Sequence, residues 1–331
     1  MESMKPADNL FGTLFFVALL AGCSGGSQSS TLAPSGLTGT GERSWMAPQA
    51  KSNHLIYVSN GNMGSGTGTV NVYSWRLRTQ VGTLSGFRIP RGICVDKAQN
   101  VWVTDYSAMQ IVEYAHGGTT PLQTLVFPFG GPTACSVDTV TGDIAIVSQG
   151  GGTAPAGVFV YTSPSSTPTQ YTNSSFSSYV GAAYDNLGNL FVDGVGTGSS
   201  TFALAEVPSG GTTLASVSVG QSITYPSSLQ WDGKYLAICD RGNSPSVVYE
   251  FSISGSAATL QGTTSLGNSS NVQQFWVPKF TSGKTNPQGT RIVAADYNNN
   301  DVPVWSYPAG GTPLRTITTG IMAPLGIAVS K

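Results

Sequence analysis

The chain has 331 residues, of which only 9% are Asp, Glu, Lys or Arg, and its formal net charge is -1. So sparse and balanced a charge argues against a nucleic-acid partner, which needs clustered Lys and Arg, while 40% hydrophobic residues argue against a disordered chain. The 42 glycines and 19 prolines point to many turns between short strands, so the expected class is all-β.

Residues 10–21 form an apolar run of the length of a signal-peptide core, too short to span a bilayer. The run ends in Leu20-Ala21-Gly22-Cys23, which resembles the lipobox of bacterial lipoproteins. The resemblance implies a signal peptide over 1–22 and lipid attachment, palmitate included, at Cys23. More than one acyl chain is needed for stable anchoring. Ser24 is not an acidic inner-membrane retention signal, so display at the outer membrane or cell surface is expected. The Ser/Gly/Thr-rich stretch within 23–52 reads as a tether.

From residue 53 to 331 the chain repeats itself. One unit runs Pro90-Arg91-Gly92-Ile93-Cys94-Val95-Asp96, Asn100-Val101-Trp102-Val103-Thr104-Asp105, Gln110 to Ala115, and Gly117-Gly118-Thr119 into Pro121-Leu122. These are four predicted strands, a to d. Strand a returns at 133–138, 180–185, 227–232 and near 272–279, and strand b at 143–148, 189–193, 234–240 and 291–296. The c–d turn returns as Gly210-Gly211-Thr212 and Gly310-Gly311-Thr312. The region opens on a b-type strand at Leu55 and closes on an a-type strand, Pro324 to Val329. The expectation is a six-bladed β-propeller of four-stranded antiparallel blades, closed by the C-terminal strand joining the N-terminal blade.

The pattern Pro-x-Gly-Ile-x-Val-Asp followed by Asn-hydrophobic-aromatic-Val-x-Asp resembles the NHL-repeat family. Its six-bladed relatives include gluconolactonase-like and streptogramin-lyase-like proteins. The resemblance is specific for architecture and weak for activity, because the fold hosts enzymes and binders alike. The lactonase-like relatives imply a divalent metal held near the axis by carboxylate and Asn side chains, and no such set can be matched here residue by residue. The lyase-like relatives imply axial histidines, whereas His54 precedes the first strand and His116 stands in a c–d turn, expected at the outer rim.

Most carboxylates recur at fixed repeat positions, which the architecture explains without a reaction. Asp96, Asp138, Asp185 and Asp232 end strand a, Asp105, Asp193, Asp240 and Asp296 end strand b, and Glu113, Glu206 and Glu250 fall in strand c. With Cys23 lipidated, an odd number of cysteines remains, and Cys94, Cys135 and Cys239 are expected as buried, inert thiols. The oxygen-rich run with Asp296, Asn298, Asn300 and Asp301 is a weak calcium candidate without the bidentate Glu of an EF-hand loop. The d–a and b–c loops share one face beside the axis. Its non-repeating residues, Arg88, Arg91, Phe127, Phe129, Tyr179, Tyr225, Arg241, Gln273 and Gln274, form the candidate ligand face, since aromatics and Arg enrich binding surfaces.

The functional expectation is a monomeric cell-envelope lipoprotein whose non-catalytic propeller binds a protein or glycan, without a cofactor or nucleic acid. The alternative is a metal-dependent, lactonase-like hydrolase or lyase.

Overall fold

Short apolar runs bounded by Gly, Pro, Asn and Asp become strands because neither length nor period allows a helix. The structure, a computed structural model, describes residues 43–61, 67–151, 153–198, 202–279 and 290–331. Cys23 and the signal segment lie outside the described residues. Among the described residues no helix is long and apolar enough to cross a membrane.

The strands are β1 (Trp45–Met46), β2 (Leu55–Asn60), β3 (Gly68–Ser74) and β4 (Gln80–Phe87), then β5 (Pro90–Val95), β6 (Val101–Asp105), β7 (Gln110–Tyr114) and β8 (Pro121–Val126). Next come β9 (Pro132–Val137), β10 (Ile144–Ser148), β11 (Gly157–Tyr161) and β12 (Thr169–Tyr171). They continue as β13 (Phe176–Tyr184), β14 (Leu190–Gly196), β15 (Ala203–Val207) and β16 (Ala215–Val219). The last are β17 (Pro226–Trp231), β18 (Leu236–Asp240), β19 (Val247–Ser254), β20 (Ala257–Ser265), β21 (Val272–Trp276), β22 (Arg291–Asp296), β23 (Val302–Ser306), β24 (Gly310–Ile317) and β25 (Pro324–Ser330).

Strands β5–β8, β9–β12 and β21–β24 each form a four-stranded sheet. Strands β13–β16 and β17–β20 join into one eight-stranded sheet through the short parallel pairing Ser218↔Ala257 and Val219↔Ala258. The sheet of β2, β3 and β4 is completed on one side by β25, with Ile56 opposite Val329 and Val58 opposite Ile327.

The first strands of these meanders lie innermost. They pack in cyclic order, β25 beside β5, then β9, β13, β17, β21 and back to β25. Apolar clusters fill the spaces between successive sheets, as where Leu55 and Tyr57 meet Ile93 and Val103, and where Cys239 and Val248 meet Phe275 and Trp305.

The inner strands do not pair with one another, so their facing backbone groups need other partners. Side chains supply them: Ser136 Oγ accepts the Tyr184 N–H at 3.1 Å and Gln230 Oε1 that of Val277 at 2.6 Å, while Ser59 donates to the Arg91 carbonyl at 2.6 Å. Close approach explains the repeated glycine. A Cβ on Gly92 would sit 2.7 Å from Ala134 Cα, and one on Gly326 would overlap the Arg91 carbonyl oxygen.

Two expectations change. Residues 45–52, counted with the tether, lie on the sheet: Trp45 and Met46 pair with Thr83 and Gly82 of β4, and Ala50 is fully buried. Their apolar side chains cover the outer edge of that sheet. Cys94 and Cys135 form a disulfide between neighbouring inner strands, with Cα atoms 5.7 Å apart. An odd cysteine count excludes a fully paired set but not one pair, and a separation of 41 residues brings one inner strand beside the next. Among the described residues Cys239 is the buried free thiol, pushed up to about 12 by burial, which keeps it protonated.

Replacing both Cys94 and Cys135 by Ser releases a 41-residue loop. Stability should fall by about 2–4 kcal/mol, read as a lower urea midpoint that reduction of the wild type reproduces. An unchanged midpoint, or separate thiol peptides in a non-reducing map, would show that the bridge does not form.

Candidate functional site: the axial channel and its loop face

Strand-b aspartates organise the loop face. Buried Asp105 accepts the N–H groups of Arg88 at 2.8 Å and Ile89 at 2.9 Å. Asp240 does the same for Thr224 and Tyr225, and Asp296 for Ser270 and Asn271. Each carboxylate satisfies a loop N–H pair that the sheets leave unpaired. On the opposite face the strand-a aspartates cap their turns as expected: Asp96 binds the Asn100 N–H, Asp138 that of Val140, Asp185 that of Leu187 and Asp232 that of Lys234.

Asp193 departs from this rule. It is fully buried, yet neither carboxylate oxygen makes a well-formed hydrogen bond. Asp193 lies opposite Gly181, one residue before the position held by Asp105, Asp240 and Asp296, which is Gly194 here, and Asn173 caps the preceding loop instead by accepting the Ser175 N–H at 2.8 Å. Burial pushes Asp193 up to about 7, while the neighbouring Gly181 N–H and Arg241 charge favour the anion and oppose part of that rise.

The residues assigned to the ligand face divide into two groups. Arg91 lies over the Tyr106 ring at 4.4 Å and Arg241 over Tyr225 at 4.6 Å, a cation–π arrangement that fixes both guanidiniums. Gln273 accepts a hydrogen bond from Arg241 Nη1 and donates to Asn271 Oδ1. Arg91 and Arg241 act on each other as like charges, and burial pulls both below the usual guanidinium range. Tyr225 is half exposed and Arg88 is exposed. Arg91, Arg241, Tyr225 and Gln273, joined by Tyr106, are therefore the cohesive part of the face. The sequence reading missed Tyr106 because only its position directly after Asp105 marks it.

The others serve packing. Phe129 stacks on Phe159 at 4.5 Å, with Phe127 edge-on to both. Tyr179 stacks on Phe176, and its hydroxyl accepts the Asn173 N–H at 2.7 Å. Gln274 crosses between inner strands: Oε1 accepts the N–H groups of Ile93 and Ile327, and Nε2 donates to the Ile93 carbonyl at 2.8 Å. It stands where other units carry Gly92, Ala134, Ser228 and Gly326, whose small size leaves room for it.

An axial cavity of about 440 Å³ runs between the inner strands. At the loop end its lining includes Thr133, Ser227 and Gln273, and at the turn end Lys97, Tyr184, Trp231 and Lys279. The polar Ser136, Ser228 and Gln230 in its wall already bind the next strand's backbone.

Neither secondary candidate gathers into a metal site. Asn298 Oδ1 accepts from Asn271 and Asn300 Oδ1 from the Ala323 N–H, so the oxygens near Asp296 and Asp301 already serve local bonds. Among the described residues no group of three His, Cys, Asp or Glu side chains is set to hold a metal ion. His116 does not stand at the outer rim. Its Nδ1 lies 2.6 Å from the hydroxyl of Ser330, at the end of inner strand β25, because the c–d turn leans onto the adjacent sheet. Burial lowers both His116 and His54.

A family model for the NHL repeat matches residues 87–114, the stretch from the end of β4 through β7. A chain in the crystal structure of a nidogen/laminin complex is 13% identical at a TM-score of 0.62, over 84% of this chain and 99% of that one. A putative 6-phosphogluconolactonase from Bacteroides fragilis is 10% identical at a TM-score of 0.55, over 86% of this chain and 99% of its own. The β-propeller domain of Cps50 (Swd1) from Myceliophteria thermophila is 11% identical at 0.52, over 84% and 86%. No curated protein matches. Identities this low speak for the fold alone: the chain is a β-propeller in which residues 87–114 match the NHL repeat.

The raised Asp193 carries a sign. Between the ordinary carboxylate value of 3.8 and about 7, the folded state holds a proton that the unfolded state has lost, so stability falls as pH rises through that window. Asp193→Asn should remove this slope and be the more stable form at neutral pH. Urea midpoints of the two proteins from pH 4.5 to pH 8 decide it, parallel curves being the contrary result.

Proposed function

We propose that this NHL-repeat-like propeller is a six-bladed, lipid-anchored scaffold of the bacterial cell envelope, held through Cys23 at the outer membrane or cell surface. It acts as a monomer whose loop face binds a protein or glycan partner. The observation that carries the reading is the arrangement of that face. Buried Asp105, Asp240 and Asp296 hold the loops from below, and Arg91 on Tyr106 and Arg241 on Tyr225 are presented above them. Fixed aromatic and guanidinium groups beside a concave axis suit recognition, since little side-chain freedom is lost on binding.

The six-blade count is supported by the cyclic packing of the inner strands, with β16–β20 pairing as a local bridge between neighbouring blades. Export is supported by the Cys94–Cys135 disulfide, because such bridges persist where thiols are not kept reduced. In the nidogen/laminin complex a chain of this fold is itself found with a protein partner.

A second reading, a lactonase-like hydrolase, is favoured by one observation: Asp193, buried behind Gly181 of the cavity wall, keeps a carboxylate with no well-formed hydrogen bond. Metal analysis separates the two, since a stoichiometric, tightly held divalent ion would favour the hydrolase.

The detergent-solubilised full-length protein, probed against glycan and peptide arrays, should select ligands that Arg241→Ala and Tyr225→Ala each lose. Ligands retained by both variants would move the site off this face. Labelled palmitate should enter the wild type and not Cys23→Ala, and a wild type that takes up no label would refute the anchor.

A further inference from the structure

A second concentration of positive charge lies away from the loop face. Trp75, Arg76, Arg78, Arg291 and Arg315 line a groove of about 550 Å³, together with His54, and no residue of its lining is acidic. Two successive sheets build it. Trp75, Arg76 and Arg78 come from the turn after β3, whereas Arg291 opens β22 and Arg315 lies on β24. The whole chain has only 15 Lys and Arg residues, so gathering Arg76, Arg78, Arg291 and Arg315 in one groove is not a consequence of composition.

Arg78 is the best-defined of them. Its guanidinium carbon stands 4.5 Å from the Trp75 ring centroid, and its backbone has a φ of 60°, a conformation that a non-glycine residue adopts at a cost. Its Nε and Nη1 are buried and make no hydrogen bond. Arg291 uses Nη1 on the Thr290 carbonyl at 2.8 Å, and Arg76 and Arg315 are exposed. Burial, with the like charge of Arg315, pulls Arg78 down to about 10. Donors left unbonded among like charges destabilise the fold unless an anion completes them. Guanidinium groups match oxyanions, offering parallel N–H donors to two oxygens at once.

We propose that this groove binds a phosphate-bearing ligand, with Arg78 as the buried donor and Arg76, Arg291 and Arg315 supplying the surrounding charge. Leu77 and Leu314, 66% and 51% exposed, stand directly beside Arg76, Arg78 and Arg315 in sequence. Apolar groups next to guanidiniums suit a lipid headgroup as well as a soluble phosphate ester, and the phosphate is the chemistry common to both.

Calorimetric titration of the full-length protein in neutral detergent tests this with three probes: inorganic pyrophosphate, glycerol 3-phosphate and dihexanoyl phosphatidylglycerol below its micelle concentration. Binding is expected to weaken about tenfold in Arg78→Gln and at least several-fold in the Arg76→Gln, Arg315→Gln double variant, and to raise the thermal midpoint of the wild type. Arg76 and Arg315 are exposed, so the double variant keeps the test open if Arg78→Gln does not fold. Tighter binding of the lipid than of glycerol 3-phosphate assigns a headgroup, and equal or tighter binding of the soluble ester assigns a free phosphate ester. Absence of binding by all three probes, or a double variant that binds as the wild type does, overturns the proposal.

Discussion

The molecule depends on how closely its inner strands approach without pairing. Strands β25, β5, β9, β13, β17 and β21 meet around the axis, and each leaves backbone groups that no ladder satisfies. Two devices resolve this. Small residues at equivalent inner-strand positions, Gly92, Ala134, Gly181, Ser228 and Gly326, let neighbouring backbones come near. Hydroxyl and amide side chains such as Ser59, Ser136 and Gln230 then complete the stranded N–H and carbonyl groups. The channel wall is consequently polar in composition but already occupied, and the groups left to meet a ligand lie mostly at its ends.

The same economy governs charge. Buried carboxylates are rare and costly unless hydrogen-bonded. Asp105, Asp240 and Asp296 meet that condition by accepting loop N–H pairs. With acids engaged beneath the loops, the sparse arginines dominate the surface where they gather. Aromatic rings hold them at both places, Tyr106 and Tyr225 on the loop face and Trp75 in the outer groove. A near-neutral chain can thus carry local positive fields.

What could be read in the sequence was whatever repeats. The strand-a aspartates, three of the four strand-b aspartates and the closure of β2 by β25 follow from the repeat, and the structure bears them out, whereas Gly310 and Gly311 open strand β24 rather than forming a turn. What could not be read was whatever breaks the repeat or joins residues of different units. Asp193 looks like the other strand-b aspartates but falls one residue early, opposite Gly181, while Asp105, Asp240 and Asp296 lie opposite Pro90, Pro226 and Val272. Gln274 occupies a small-residue position and looked like a surface amide, although it binds two neighbouring strands. The Cys94–Cys135 bridge and the Arg78 groove arise from adjacency across sheets, which no single unit encodes. Tyr106 was legible only as the residue following Asp105, a position whose aromatic character recurs at Tyr297 alone.

Closure by β25 has a kinetic consequence. Asn60, at the end of β2, donates to the carbonyl of Gly320, 260 residues later, just before β25 begins. The first sheet therefore lacks its inner strand until nearly the whole repeat region has emerged. Contacts of such long range form slowly, because the entropy of closing the intervening loop precedes the gain. A chain that cannot complete its first sheet early stays threadable while it is being made.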